Sequence, residues 1–131
     1  MIALDTNVLV RFLVADDMAQ HQRVVALFRR GIARGETFFV GDVVVAELTW
    51  VLRAAYRFER VQIGAALRAL LEAEHLVFES TDLLRRALLR FQAGSAGFAD
   101  CLIAARGHEA GCATLVTFDR ALLGQSGVAE P

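Results

Sequence analysis

Short, wholly apolar runs alternate along the chain with stretches whose apolar positions recur at helical spacing. Residues 1–4 read as a short buried strand and 8–14 as an apolar helix. Asp16 and Asp17 then open a helix to about residue 34, with Val24, Val25, Phe28 and Ile32 as its stripe and Gly35 as its stop. A second strand is expected over 37–40, and Asp42 is placed to cap a helix reaching about residue 58. Ile63, Leu67, Leu70 and Leu71 carry a further helix over 60–73, followed by a strand over Leu76–Phe78. Thr81 or Asp82 caps a helix through residue 91, a loop covers 94–97, and 98–110 is helical. Residues 113–117 read as a fourth strand, and a fifth is expected near Val128.

Apolar strands that alternate with helices imply a parallel sheet covered on both faces. The expected fold class is α/β, a three-layer α/β/α arrangement around a central parallel sheet of four to five strands. The one proline stands at the very end, and there is no low-complexity linker or repeat. Residues 1–131 are therefore expected to form a single domain with a real core.

Hydrophobic residues make up 56% of the chain and mean hydropathy is +0.45, which raises the question of a membrane. The longest uncharged runs, such as 91–99 and 110–118, reach only nine residues, whereas a spanning helix needs roughly 20. The start has no basic region and no signal-peptide pattern, so the expected compartment is the cytoplasm. Cys101 and Cys112 lie far from any His/Cys cluster and suggest neither a zinc site nor a disulfide framework. Formal net charge is −1, and all 14 basic residues are arginine. Setting aside four special carboxylates turns the balance mildly basic, which permits nucleic-acid binding without demanding it.

Those four are Asp5, Glu47, Asp100 and Asp119. Asp5 ends the run Ile2-Ala3-Leu4, and Asp119 follows Leu115-Val116-Thr117-Phe118. Glu47 interrupts an apolar run, with Val43, Val44, Leu48 and Val51 as helical neighbours, so it is expected to point with the apolar face. Asp100 stands between Phe98-Ala99 and Cys101-Leu102-Ile103. An ionised carboxylate in such surroundings calls for a cation, yet lysine is absent and only Asp119 has an adjacent arginine, Arg120.

Each residue also has an ordinary structural reading. Glu47 could reach water or pair with Arg53 or Arg57. Asp100 suits the first turn of a helix, Asp119 a turn over 120–123, and Asp5 an N-cap for which Thr6 and Asn7 compete. The set of four on different elements favours a shared divalent metal. Asp5 and Asp119 fall at carboxyl ends of expected strands, where ligands gather in open α/β sheets. Oxygen donors without His or Cys suit Mg2+ or Mn2+, as one or two ions, and His21, His75 and His108 lie near none of them. Ser80, Ser95 and Ser126 lack a nucleophile-elbow context, and no phosphate-cradling glycine loop is present. Asp5-Thr6-Asn7 lacks the second Asp of haloacid-dehalogenase phosphatases, and a response-regulator receiver would need a lysine.

The ordered segments Ile2-Ala3-Leu4-Asp5-Thr6-Asn7, Val44-Val45-Ala46-Glu47-Leu48, Phe98-Ala99-Asp100-Cys101-Leu102 and Leu115-Val116-Thr117-Phe118-Asp119-Arg120 resemble the motifs of PIN-domain ribonucleases. The likeness is strongest to the VapC toxins of toxin–antitoxin pairs. It covers nearly the whole chain. The resemblance implies an Mg2+- or Mn2+-dependent endoribonuclease that hydrolyses RNA with metal-activated water. Asp5, Glu47, Asp100 and Asp119 match its acidic quartet, catalytic and metal-holding, and Thr6 and Asn7 match a supporting polar pair. It further implies a homodimer and a VapB-like antitoxin seated in a groove, here near the helices over 43–58 and 60–73. Trp50, Val61, Ile63 and Leu70 suit either such an interface or the core. Arg11, Arg106 and Arg120 are the candidate RNA contacts, with solvated surface roles as the alternative. Gly94-Ser95-Ala96-Gly97 stands where many relatives carry another acid, and Leu122-Leu123 where many carry Phe. The alternatives are a housekeeping PIN nuclease that processes RNA, or a catalytically silent module whose acidic pocket holds a basic peptide.

Overall fold

Phe38-Phe39-Val40 forms the middle strand of a parallel ladder, and the full burial of Phe38 and Val40 accounts for that central place. The computed structural model describes all 131 residues, in two units, Met1–Glu79 and Ser80–Pro131. In the first unit β1 (Ile2–Ala3), β2 (Phe38–Val40) and β3 (Leu76–Phe78) lie in the order β1-β2-β3. Ile2 pairs with Phe38, and Phe38 with Leu76. Helices α1 (Thr6–Leu13) and α2 (Met18–Ala33) join β1 to β2, while α3 (Asp42–Ala54) and α4 (Arg60–Glu72) join β2 to β3. Parallel neighbours need such crossovers, because a tight turn cannot bring the chain back to the same end.

Leu9 and Val10 of α1, Leu48 and Leu52 of α3, and Leu67 and Leu70 of α4 are buried with the strands. An edge-to-face series, Phe12–Phe28 at 5.1 Å and Phe28–Phe38 at 4.9 Å, ties α1 and α2 to β2. Gly31 of α2 is buried, and a Cβ there would collide with the Phe38 ring, so the close approach of helix to strand depends on it. Asp17 caps α2 by accepting from Gln20 N at 3.0 Å.

In the second unit α5 (Thr81–Ala93) packs against α6 (Phe98–Glu109). Leu84, Leu88 and Phe91 recur on one face of α5, and Phe91 meets Phe98 edge-on at 5.9 Å. β4 (Leu115–Val116) and β5 (Val128–Ala129) pair in parallel, and Leu115 N and Thr117 N extend that ladder to Gly127 O and Ala129 O.

The α/β class and the parallel strands agree with expectation. The sheet differs: three strands pair in the first unit and two in the second, in place of one sheet of four to five. Strands of two or three residues offer few ladder bonds, and apolar runs in sequence do not say which runs pair. The first strand is also less buried than expected, with Ile2 and Ala3 exposed. Ile32, expected in the stripe of α2, is exposed.

Two caps differ as well. Gly41, not Asp42, is the N-cap of α3, and the Glu79 carboxylate accepts from Asp42 N at 2.9 Å. An acid arriving from beyond β3 thus does what a local side chain was expected to do. Ser80 rather than Thr81 or Asp82 caps α5, accepting from Leu83 N at 3.3 Å. Helix α3 stops at Ala54, short of residue 58, because Arg57 takes a positive φ of 56° and Phe58 N turns back to Leu52 O at 2.9 Å. No helix is long and apolar enough to cross a membrane.

Candidate metal centre

Asp5 follows Leu4, whose N–H still bonds to Phe39 O at 2.9 Å, so the acid stands just past the carboxyl end of β1. It is the N-cap of α1, its Oδ1 accepting from Thr6 N at 2.7 Å. The cap takes only part of what a carboxylate can accept, and the partial positive charge of the helix start favours the ionised form. Thr6 beside it is almost fully buried, yet its hydroxyl has no hydrogen-bond partner. A buried orphan hydroxyl is costly, and one placed next to an acidic strand end suits a bound ligand. Asn7 is exposed one residue further on.

Glu47 overturns the expectation made for it. The buried stripe of α3 is Val45, Leu48, Thr49 and Leu52, and Glu47 lies on the exposed side. Its companions there, at i−4 and i+3, are Val43 and Trp50, apolar but 76% and 68% exposed. The carboxylate therefore needs no buried cation to account for it.

In the second unit Asp100 and Asp119 are half-buried and come together. Asp100 occupies the first turn of α6, whose N-cap is Gly97. Asp119 follows β4 and is held by its surroundings: its N–H donates to Thr117 Oγ1 at 3.0 Å, and its Oδ1 accepts from Ala121 N at 2.8 Å. Burial first, then a hydrogen bond to Asp119 and its charge, raises the Asp100 carboxyl above the ordinary carboxylate range. Two acids set side chain to side chain, one of them partly buried and raised, are a natural seat for a divalent cation, whose charge would offset theirs. Gly97 adds to the fit, since a Cβ there would stand 3.3 Å from Asp100 Oδ2.

The premise of costly burial thus holds for Asp100 and Asp119, while Asp5 and Glu47 are exposed. Neither unit by itself gathers three or more His, Cys, Asp or Glu side chains able to share a metal. The donors present are oxygen only, the chemistry of Mg2+ or Mn2+, and on that ground they fit such an ion. The ordinary structural roles of Asp5, Asp100 and Asp119, as cap, first-turn acid and turn residue, are all realised alongside. Two residues escaped the sequence reading: Gly97 was read only as loop, and Thr117 only as strand. Nothing in their spacing distinguishes a glycine that abuts a carboxylate from an ordinary helix start.

Of the candidate RNA contacts, Arg11 is ion-paired with Asp16 at 2.9 Å and bonded to Gln20 Oε1 at 2.5 Å and Tyr56 Oη at 3.2 Å. The Tyr56 bond and the Asp16 charge hold its guanidinium more firmly protonated, and Tyr56, donating to Asp16 Oδ2 at 2.9 Å, together with Arg11 lowers the Asp16 carboxyl. Arg106 pairs with Glu109 at 2.8 Å. Arg120 is exposed. Cys101 is buried and Cys112 exposed, both free thiols.

Residues 2–125 match the family model of the PIN domain. Among characterised proteins, a VapC ribonuclease of Aquifex aeolicus (strain VF5) is 28% identical over 120 residues, covering 92% of this chain and 88% of that protein.

Proposed function

From the premise that the chain belongs to the PIN-domain family, we propose that it is an Mg2+- or Mn2+-dependent endoribonuclease, the toxin of a toxin–antitoxin pair. The observation that carries this reading is the pairing of Asp100 with Asp119 in the second unit, two motif acids brought side chain to side chain. By the order of the four motifs, Asp5 and Asp100 would hold the principal ion, and Glu47 and Asp119 would complete or tune it. A divalent ion held there would supply water activation and neutralise phosphodiester charge. The chain's own residues do the rest. Asp100 is held against Asp119 with its carboxyl raised, Asp119 is kept in register by Thr117 and Ala121, and Thr6 offers its hydroxyl beside Asp5.

The likeness to a VapC ribonuclease supports RNA as substrate and a VapB-like antitoxin as partner. An apolar cavity of about 650 Å3 between α1, α2 and α4 supports the partner, with Phe12 and Ile32 partly open to solvent and Arg29 and Glu74 among its lining. Its place differs from the groove expected between the third and fourth helices, which Ile63 and Leu70 do not line openly because both are buried. Exposed Val43, Trp50 and Val61 offer a second apolar surface, suited to a homodimer. The cytoplasm is the compartment this reading assigns.

The test is incubation of the purified chain with mixed RNA, in Mg2+ or Mn2+ and then in EDTA, beside Asp5→Asn. Cleavage that needs both metal and Asp5 bears the reading out. A folded, antitoxin-free chain that cleaves nothing under any metal ends it and favours a module that binds basic peptide. Growth arrest on expression separates the toxin from a housekeeping nuclease.

A further inference from the structure

Helices α1 and α2 border a cleft of about 910 Å3 whose charged lining is entirely basic: Arg11, Arg23 and Arg30. Asn7, Gln20 and Gln22 add uncharged amides, and no Asp or Glu lines it. The whole chain carries one more acid than base, so the uniform sign belongs to this cleft and not to the surface at large. Arg11 is already matched by Asp16. Arg23 and Arg30 are exposed and neither is ion-paired. Seven residues apart on α2, they share one face about 10 Å from each other along the axis. Asn7 places the end of the cleft two residues from Asp5.

Resting on the ribonuclease reading, we infer that this cleft seats the sugar–phosphate backbone of single-stranded RNA beside the scissile bond, with Arg23 and Arg30 as its phosphate contacts. A guanidinium binds a phosphate through two parallel hydrogen bonds, and two of them in line on a helix match a chain of regularly spaced anions. The amides of Asn7 and Gln22 suit sugar and base edges and add no charge of the opposing sign. The cleft continues toward the strand end that bears Asp5, so a strand lying in it reaches the acidic motif.

The test measures binding of a fluorescent random-sequence RNA oligonucleotide to the Asp5→Asn chain in EDTA, across a range of salt. Arg23→Ala with Arg30→Ala is expected to weaken binding about tenfold or more and to reduce the slope of log affinity against log salt by about 1.4, two phosphate contacts at ~0.7 each. Arg23→Lys with Arg30→Lys keeps the slope, and Arg68→Ala with Arg85→Ala, outside the cleft, moves neither quantity. In the cleaving chain the alanine pair raises KM and spares kcat. An unchanged affinity and slope beside intact wild-type cleavage overturns the inference and leaves the nuclease reading standing. Arginine-dependent RNA binding by a chain that cleaves nothing does the reverse. If the alanine pair abolishes binding of polyglutamate but not of RNA, the cleft is a seat for an acidic peptide and the inference falls.

Discussion

The carboxyl group of Asp100, in the first turn of α6, is hydrogen-bonded to that of Asp119, just past β4. They lie 19 positions apart in sequence, and the packing of α6 against β4 makes them neighbours. Like charges so placed ionise together only at a cost, which a divalent cation would lift.

That relationship sets a pH dependence for the metal-free protein. The folded-state value of Asp100 is raised, by burial first and by Asp119 next, so the folded chain holds this proton more tightly than the unfolded one. The resulting stability is fully present below the ordinary carboxylate value of ~3.9 and is lost as pH rises through the raised one. The metal-free thermal midpoint should therefore fall as pH rises through that window. Asp100→Asn should remove this dependence and raise the midpoint near neutrality, and saturating Mg2+ should remove it in the wild type. Thermal melts across pH in EDTA and in Mg2+ decide the matter, and an unchanged profile in Asp100→Asn would count against the pair.

Gly97→Ala tests how tightly Asp100 is positioned. The backbone there, at φ −63° and ψ 155°, accepts alanine without strain, so stability should change by less than about 1 kcal/mol. The new methyl would press on Asp100 Oδ2 from 3.3 Å. A displacement of a few tenths of an ångström predicts a roughly threefold to tenfold loss of kcat with the fold intact. Full activity in a folded Gly97→Ala chain would show that the carboxylate has room to move.

Thr6→Val separates a functional hydroxyl from a structural one. Removing an unpartnered buried hydroxyl while keeping the side chain's bulk should leave stability unchanged or raise it by up to about 1 kcal/mol. Cleavage should nonetheless fall by about tenfold if the hydroxyl braces Asp5 or its ligand. A less stable variant with undiminished cleavage would mean the hydroxyl serves the fold.

Gly31→Ala should destabilise the protein by about 1–3 kcal/mol, through the collision of its methyl with the buried Phe38 ring. Urea denaturation measures this directly. A smaller partner ring position, as in Phe38→Leu, should recover part of the loss in the double variant, because the two residues are in contact.

The strand over Leu76–Phe78, the helices and the four acidic motifs could be read directly from apolar periodicity and motif order. Glu47 could not. Its neighbours Val43 and Val51 are apolar, and periodicity cannot tell a face that meets the core from one that awaits a partner, as the exposure of Val43 and Trp50 makes plain. Glu79 capping α3 escaped for another reason: a cap delivered from 37 residues away leaves no local signature. The basic cleft was hidden because Arg23 and Arg30 carry no motif, and the expectation fell on Arg11, which Asp16 and Tyr56 already engage. Strand pairing was likewise a matter of which apolar runs meet, which composition leaves open.

Trp50 is the chain's only tryptophan, and it stands solvent-exposed one turn from Glu47 on the same side of α3. Indole emission moves to shorter wavelength when water is stripped from the ring. The unlabelled protein consequently carries its own optical reporter at one of its motif acids. Any antitoxin, second copy or substrate that settles over that side of α3 will announce itself in the fluorescence of a single residue.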